Sequence, residues 1–261
     1  MNFRLTIQYD GTDFAGWQTQ ARGERTVQGE LERALALLEG GPVVAHGAGR
    51  TDAGVHAEGQ VASARLRREW GPGQLCAAIN GNVGRDLRVI KVEAAPEEFH
   101  ARFSARGKTY RYRIFNEQFA SPFFARYAHH EPRRLNVGRM RECAALFVGE
   151  HDWTAFSSAQ AEVGNRVRNL TRLEVCERFS ASGRGRVVEI TAGAEGFLRY
   201  MVRSIAGTLL AAGRGESGED EISRALATGD RALAGATAPA RGLTLIEVLY
   251  EGDGWGVTSD E

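Results

Sequence analysis

The 261-residue chain has few cysteines, few lysines and no long apolar run. Its three cysteines, Cys76, Cys143 and Cys176, are far apart and form no CxxC pair, which excludes a disulfide framework and argues against a structural zinc site. They are expected to be small buried hydrophobes in a reducing compartment. No stretch approaches the ~18 apolar residues of a membrane span. The opening Met1–Thr6 has no apolar segment after a basic one, so the expectation is a cytoplasmic protein without a secretory leader. The six histidines fall in no HExxH frame, and there is no GxSxG elbow. Gly107-Lys108-Thr109 resembles the end of a Walker A loop, but Arg102 stands where its first glycine belongs. Gly47-Ala48-Gly49 lacks the third glycine of a dinucleotide fingerprint. The expectation is therefore no metal, no nucleotide cofactor and no membrane association.

The 43% hydrophobic and 25% charged residues are ordinary for a globular protein of one large or two small domains, while the 32 glycines exceed the usual ~7% and point to many turns and close backbone approaches. Net charge is zero but unevenly spread. Residues 100–141 carry ten basic groups against Glu117 and Glu131, a balance of +8. Residues 215–261 carry three basic groups against ten acids, a balance of −7. A polyanion can bind one face of such a chain while the whole stays neutral.

Alternating apolar residues predict a strand over Phe3–Tyr9, ended by Asp10-Gly11. Thr26 is placed to cap a helix over Val27–Glu39, stopped by Gly40-Gly41-Pro42. Further strands are expected near Val43–Gly47, Gly59–Leu66, Leu87–Val92, 106–116, Arg166–Glu177, Arg186–Ala192 and Leu243–Tyr250. Helices are expected at Gly73–Ile79, Val137–Val148, Phe197–Ala212 and Glu219–Ala227. The strands are amphipathic rather than uniformly apolar. That points to an α+β fold, two α/β subdomains with a largely antiparallel sheet flanked by helices. The boundary is expected at 104–106, giving 1–104, 105–250 and a frayed tail at 251–261.

The segment Gly49-Arg50-Thr51-Asp52-Ala53-Gly54-Val55-His56 frames one carboxylate with small residues and an arginine. Glycines let a bulky ligand approach the backbone, and an arginine can hold the carboxylate ionised. Asp beside Gly is equally the composition of a tight turn in which the aspartate bonds its own backbone, and physics alone leaves these two readings level.

That segment resembles the catalytic motif of the tRNA pseudouridine synthase I (TruA) family. Tyr9-Asp10-Gly11 with Phe14-Ala15-Gly16-Trp17-Gln18 resembles the family's opening, and Thr26-Val27-Gln28 its first-helix start. Phe99-His100-Ala101-Arg102-Phe103-Ser104-Ala105 and Tyr110-Arg111-Tyr112 are similar to its central segments. Met201-Val202-Arg203-Ser204-Ile205 and Gly242-Leu243 with Leu245 are similar to its late helix and closing strand. The resemblance implies a pseudouridine synthase-like fold and isomerisation of uridine to pseudouridine at positions 38–40 of the tRNA anticodon stem-loop. It further implies a cytoplasmic homodimer without cofactor or metal. It makes Asp52 the catalytic group, Tyr110 the active-site tyrosine and Arg203 the aspartate's charge partner. Arg50 is a candidate to hold substrate phosphate or steady the aspartate. Without the resemblance, Tyr110 reads as a half-buried strand aromatic and Arg203 as a solvated helix residue. His56 reads equally as a loop-packing residue or an RNA contact, and Trp17 and Phe14 as core or interface. Two other classes compete: a non-catalytic RNA-binding module, which has no need of a carboxylate at Asp52, and a glycosidase-like hydrolase, which needs two paired carboxylates.

Overall fold

Phe3, Leu5 and Ile7 alternate along the first strand, and all three are fully buried. The computed structural model describes residues 1–21, 23–159, 164–179 and 185–253. Within them the chain divides into two units, Met1–Lys108 with Leu245 onward, and Thr109–Thr244.

In the first unit β1 (Asn2–Tyr9) lies between β3 (His56–Arg65) and β4 (Leu87–Ala95), antiparallel to both. The short β2 (Ala45–Gly47) pairs with β3 at Ala62–Ala64. The helix α1 (Val27–Glu39) begins where Thr26 Oγ1 accepts the Gly29 amide at 3.2 Å and ends at Gly40, in the left-handed region at φ +67°. It buries Val27, Leu31, Ala34 and Leu35. A shorter helix, α2 (Pro72–Asn80), buries Leu75 and Ile79.

The second unit takes most of β5 (Ala105–Phe115), followed in sheet order by β9 (Arg186–Ala194), β8 (Val167–Phe179) and β7 (Gly149–Asp152). The two-residue β6 (His129–His130) runs parallel to the end of β5, while β7–β8 and β8–β9 are antiparallel. Three helices complete it: α3 (Val137–Ala145), α4 (Met201–Gly213) and α5 (Glu219–Thr228). Phe147 meets Phe156 edge-on at 5.0 Å, and both pack with Trp153, all three fully buried. The fold is α+β with largely antiparallel pairing, as expected.

Several boundaries differ from the sequence reading. β10 (Leu243–Tyr250) lies beside β3, so from Leu245 it belongs to the first unit, which also reaches to Lys108. Tyr250 explains this assignment: its hydroxyl donates to Ala101 O at 2.7 Å and its ring lies 5.2 Å from Phe99. The start of the expected tail is tied down, because Asp253 accepts from Arg4 at 2.8 Å and Glu251 from Arg106 at 2.9 Å. Residues 254–261 lie outside the described residues. Cys143 is buried, but Cys176 is exposed at an outward position of β8 and Cys76 is half-buried. β6 and β7 escaped the sequence reading because neither is long enough to set up an alternation.

The segment after β5 is held by a polar network. Asn116 Nδ2 donates to Glu131 O and Arg133 O, and its Oδ1 accepts the Leu135 amide. Arg186, buried on β9, donates to the same Oδ1 at 2.7 Å, to Leu135 O at 3.0 Å and to both oxygens of Glu177. The Arg186 guanidinium holds the Glu177 carboxyl below its ordinary range. Removing one partner of such a network strands the others. Arg186→Met is expected to cost about 3–5 kcal/mol of stability, read from denaturant unfolding. A depressed carboxyl stabilises fully above its unfolded value, near 4.5, and loses that contribution as pH falls through the lower folded value. The variant should therefore also lose less stability than the wild type on acidification below that point.

Candidate active site

The loop between β2 and β3 carries Asp52, and its backbone belongs to no regular ladder. It is held instead by three separate stretches of the first unit. From β1, the buried Tyr9 hydroxyl bonds the Thr51 hydroxyl at 2.8 Å. Burial pushes the Tyr9 phenol up to about 12, so the group stays protonated at physiological pH. From β3, fully buried Gln60 donates its amide to Gly49 O at 2.9 Å, and Val61 O accepts the Ala48 amide at 2.7 Å. From the turn after β1, Trp17 N donates to Thr51 O at 3.0 Å.

That turn is itself fixed by the first helix. The amides of Val27 and Gln28, which open α1 and have no partner within it, donate to Gly16 O and Trp17 O at 3.2 and 3.0 Å. The chain of bonds runs from the helix start through Gly16-Trp17 to Thr51, one residue before Asp52. Gly16 sits at φ +103°, and a β-carbon there would come 2.7 Å from Thr51 O. Only glycine combines that dihedral with that approach. His56 is buried and its Nδ1 accepts the Gly11 amide at 3.0 Å, which makes it a loop-packing residue. Trp17 and Phe14 are buried as core. Asp52 itself is half-buried and Arg50 exposed.

The second unit holds the other two expected residues. Tyr110 is buried on β5, its ring edge-on to Phe197 at 5.1 Å and 86°. Arg203 lies on α4, and the solvated reading is wrong for it. α4 is buried on nearly every face, and Arg203 is half-buried. Its Nε donates to Ala238 O at 2.8 Å, while the Ala238 amide returns a bond to Arg203 O at 3.0 Å. The Tyr112 hydroxyl supports the same segment by donating to Pro239 O at 2.9 Å. The guanidinium lies 5.0 Å over the ring of Tyr200, which precedes the helix at φ +67°, a rare conformation for an aromatic residue. α4 accordingly begins at Met201 rather than Phe197.

The expected basic stretch is less open than its sequence suggests. Arg113 and Arg178 converge on Glu189 at 3.0 and 3.4 Å, and Arg133 reaches Glu216 at 2.8 Å. Arg106 reaches Glu251 at 2.9 Å. Part of the +8 balance is thus met by carboxylates, two of them from the acidic C-terminal region. The sequence reading missed Tyr9, Gln60, Tyr112 and the 236–239 segment as supports. Tyr9 stood in the recognised opening. Gln60 and Ala238 carried no sequence signal, because their role is a single long-range bond.

If the glycine at 16 is what lets the turn touch the loop, Gly16→Ala should cut turnover about 100-fold through misplacement of Asp52. Gly73→Ala, in open space at the start of α2, should leave turnover unchanged and add about 0.5–1 kcal/mol of stability. Steady-state kinetics and thermal unfolding of the pair check this.

The tRNA pseudouridine synthase family model matches residues 5–104 and 143–251. Asp52, Arg50 and Arg203 lie inside the matched residues and Tyr110 outside them. A tRNA pseudouridine synthase A of Solidesulfovibrio magneticus is 45% identical over 260 residues, covering 96% of this chain and 92% of that protein. Those of Bacillus pumilus and Ruminiclostridium cellulolyticum are 43% and 42% identical, covering 96% and 95% of this chain and 100% and 98% of theirs. A solved Cbf5-Nop10-Gar1 complex aligns over 93% of this chain and 48% of that one at 16% identity, with a TM-score of 0.36, too loose a likeness to add to the fold. With a family match over most of its length and relatives above 40% identity end to end, the chain belongs to the tRNA pseudouridine synthase family, isomerases that act on tRNA.

Proposed function

We propose that the chain converts uridine to pseudouridine at positions 38–40 of the tRNA anticodon stem-loop, with Asp52 as the essential carboxylate. The observation that carries this is the rigid suspension of the Asp52 loop from Tyr9, Gln60 and Trp17. A turn that merely closed a chain reversal would not need three independent anchors.

The reaction breaks the C1′–N1 bond, turns the uracil and forms C1′–C5; the C5 proton leaves and N1 gains one, so the product is an isomer. The target base must first leave the stack, at a cost of a few kcal/mol. Asp52 serves as an ionised carboxylate, by addition to C1′ or to uracil C6 or by removal of a ribose proton. Arg203 serves as its charge partner, a role supported by the two-way bond to Ala238 that fixes the arginine's backbone and Nε. Tyr110 serves the flipped uracil, its ring steadied edge-on by Phe197. Arg50, exposed and two positions before Asp52, serves the RNA phosphates.

The same reading makes the protein a cytoplasmic homodimer. Among the described residues no helix is long and apolar enough to cross a membrane. Phe119 and Phe123 expose 77% and 88% of their surface and Tyr127 is exposed beside them in sequence, apolar surface that a second copy would cover. Light scattering should give twice 28.5 kDa; a monomer would count against the assembly.

With tRNA tritiated at uridine C5, the wild type should release tritium to water with all uracil still attached, and Asp52→Ala should release none while binding tRNA normally. Free uracil would instead mark a hydrolase. An Asp52→Asn variant that leaves every function intact would favour the RNA-binding module.

A further inference from the structure

Several cations of the first unit are met by carboxylates. Arg4 meets Asp253, Arg25 meets Asp86 and Glu30, Lys91 meets Glu93 and Arg106 meets Glu251. Lys108 and Arg102 are not among them. Among the described residues neither has a carboxylate within ion-pair distance, and the Lys108 ammonium has no hydrogen-bond acceptor.

Lys108 is one of only two lysines in the chain, beside 31 arginines. Its side chain lies along the backbone of Gly49, three residues before Asp52. A β-carbon at Gly49 would come 3.5 Å from its Cε and 3.6 Å from its Nζ. Burial draws the ammonium down to about 8, and the nearby charge of Arg102 pushes the same way. Arg102 is exposed, its guanidinium 5.8 Å from the Phe103 ring centroid. A partly desolvated ammonium that has no carboxylate partner and feels a second positive charge is an arrangement that folding alone disfavours. An incoming anion relieves both costs at once.

Resting on the RNA-isomerase reading above, we propose that Lys108 and Arg102 together grip a backbone phosphate of the bound RNA beside the Asp52 loop. Lys108 supplies a compact point charge from below and Arg102 a planar fork at the surface. The placement next to Gly49 puts that phosphate on the target nucleotide or its immediate neighbour. Lys108 is thus a positioning residue: it fixes the strand while the base turns.

The test is the salt dependence of affinity for an anticodon stem-loop RNA, measured between about 50 and 200 mM salt for the wild type, Lys108→Gln, Lys108→Arg and Arg102→Gln. Each lost phosphate contact removes about 0.7–0.9 from the slope of log affinity against log salt. Both glutamine variants should bind more weakly with slopes shallower by that amount, and Lys108→Arg should keep the wild-type slope. RNA with a neutral methylphosphonate at the phosphates flanking the target uridine should weaken the wild type more than it weakens Lys108→Gln, which keeps only the Arg102 contact. Weaker binding at an unchanged slope would make Lys108 a packing residue and overturn the clamp, as would unchanged affinity. If Lys108→Gln does not fold, Arg102→Gln, at an exposed position, decides alone. Tritium release by the wild type reports separately on the isomerase reading, so either can fail without the other.

Discussion

A carboxylate on a loop is only as well placed as the loop, and this loop has no ladder of its own. The bond from Trp17 to Thr51 supplies what the backbone lacks. It ties the Asp52 loop to a turn that the first helix already holds through the otherwise unpaired amides of Val27 and Gln28. Three segments distant in sequence, around 16, 27 and 51, become one hydrogen-bonded body. The Tyr9 hydroxyl and the Gln60 amide brace it from two strands of one sheet. Precision at Asp52 is thus inherited from the sheet and helix rather than generated locally.

The same logic governs the second unit. Arg203 is not steered by its helix alone, since a helix sets where a side chain leaves and not where its tip rests. The 236–239 segment anchors the guanidinium end by accepting from it, and donates back to the helix carbonyl. The Tyr112 hydroxyl holds that segment from the strand side. Asp52 and Arg203 are therefore each accompanied by residues that hold them in place. Those partners explain why recognisable motifs cluster where they do. Tyr9, Gly16 and Thr26 belong together because they lie along one run of bonded segments.

Much of this was legible from the residues. Alternation gave β1 and β5, the Thr26 cap gave α1, and the framed aspartate gave the loop. Legibility failed where the physics is long-range. The late helix looked amphipathic, yet α4 is buried at every position but Arg203, which is itself half-buried and held by Ala238. The domain boundary failed for a related reason: nothing in Leu243–Tyr250 announces which strand it will lie beside. The charge segregation was real in sequence but was partly consumed internally, because Glu189, Glu216 and Glu251 fold back onto arginines counted as free. A linear tally of charge cannot register how much of it the fold neutralises.

The return of β10 to the first unit has a consequence for synthesis. The second unit is continuous and can close as soon as its last residue leaves the ribosome. The first unit cannot. Until Leu245–Tyr250 emerges, the edge of β3 away from β1 is covered by β2 only at Ala62–Ala64, so the rest of that edge waits unpaired through the translation of everything between. The half that carries Asp52 is thus begun first and finished last, and a nascent chain stalled before its final strand leaves an open sheet edge for chaperones, or for a second stalled copy, to find.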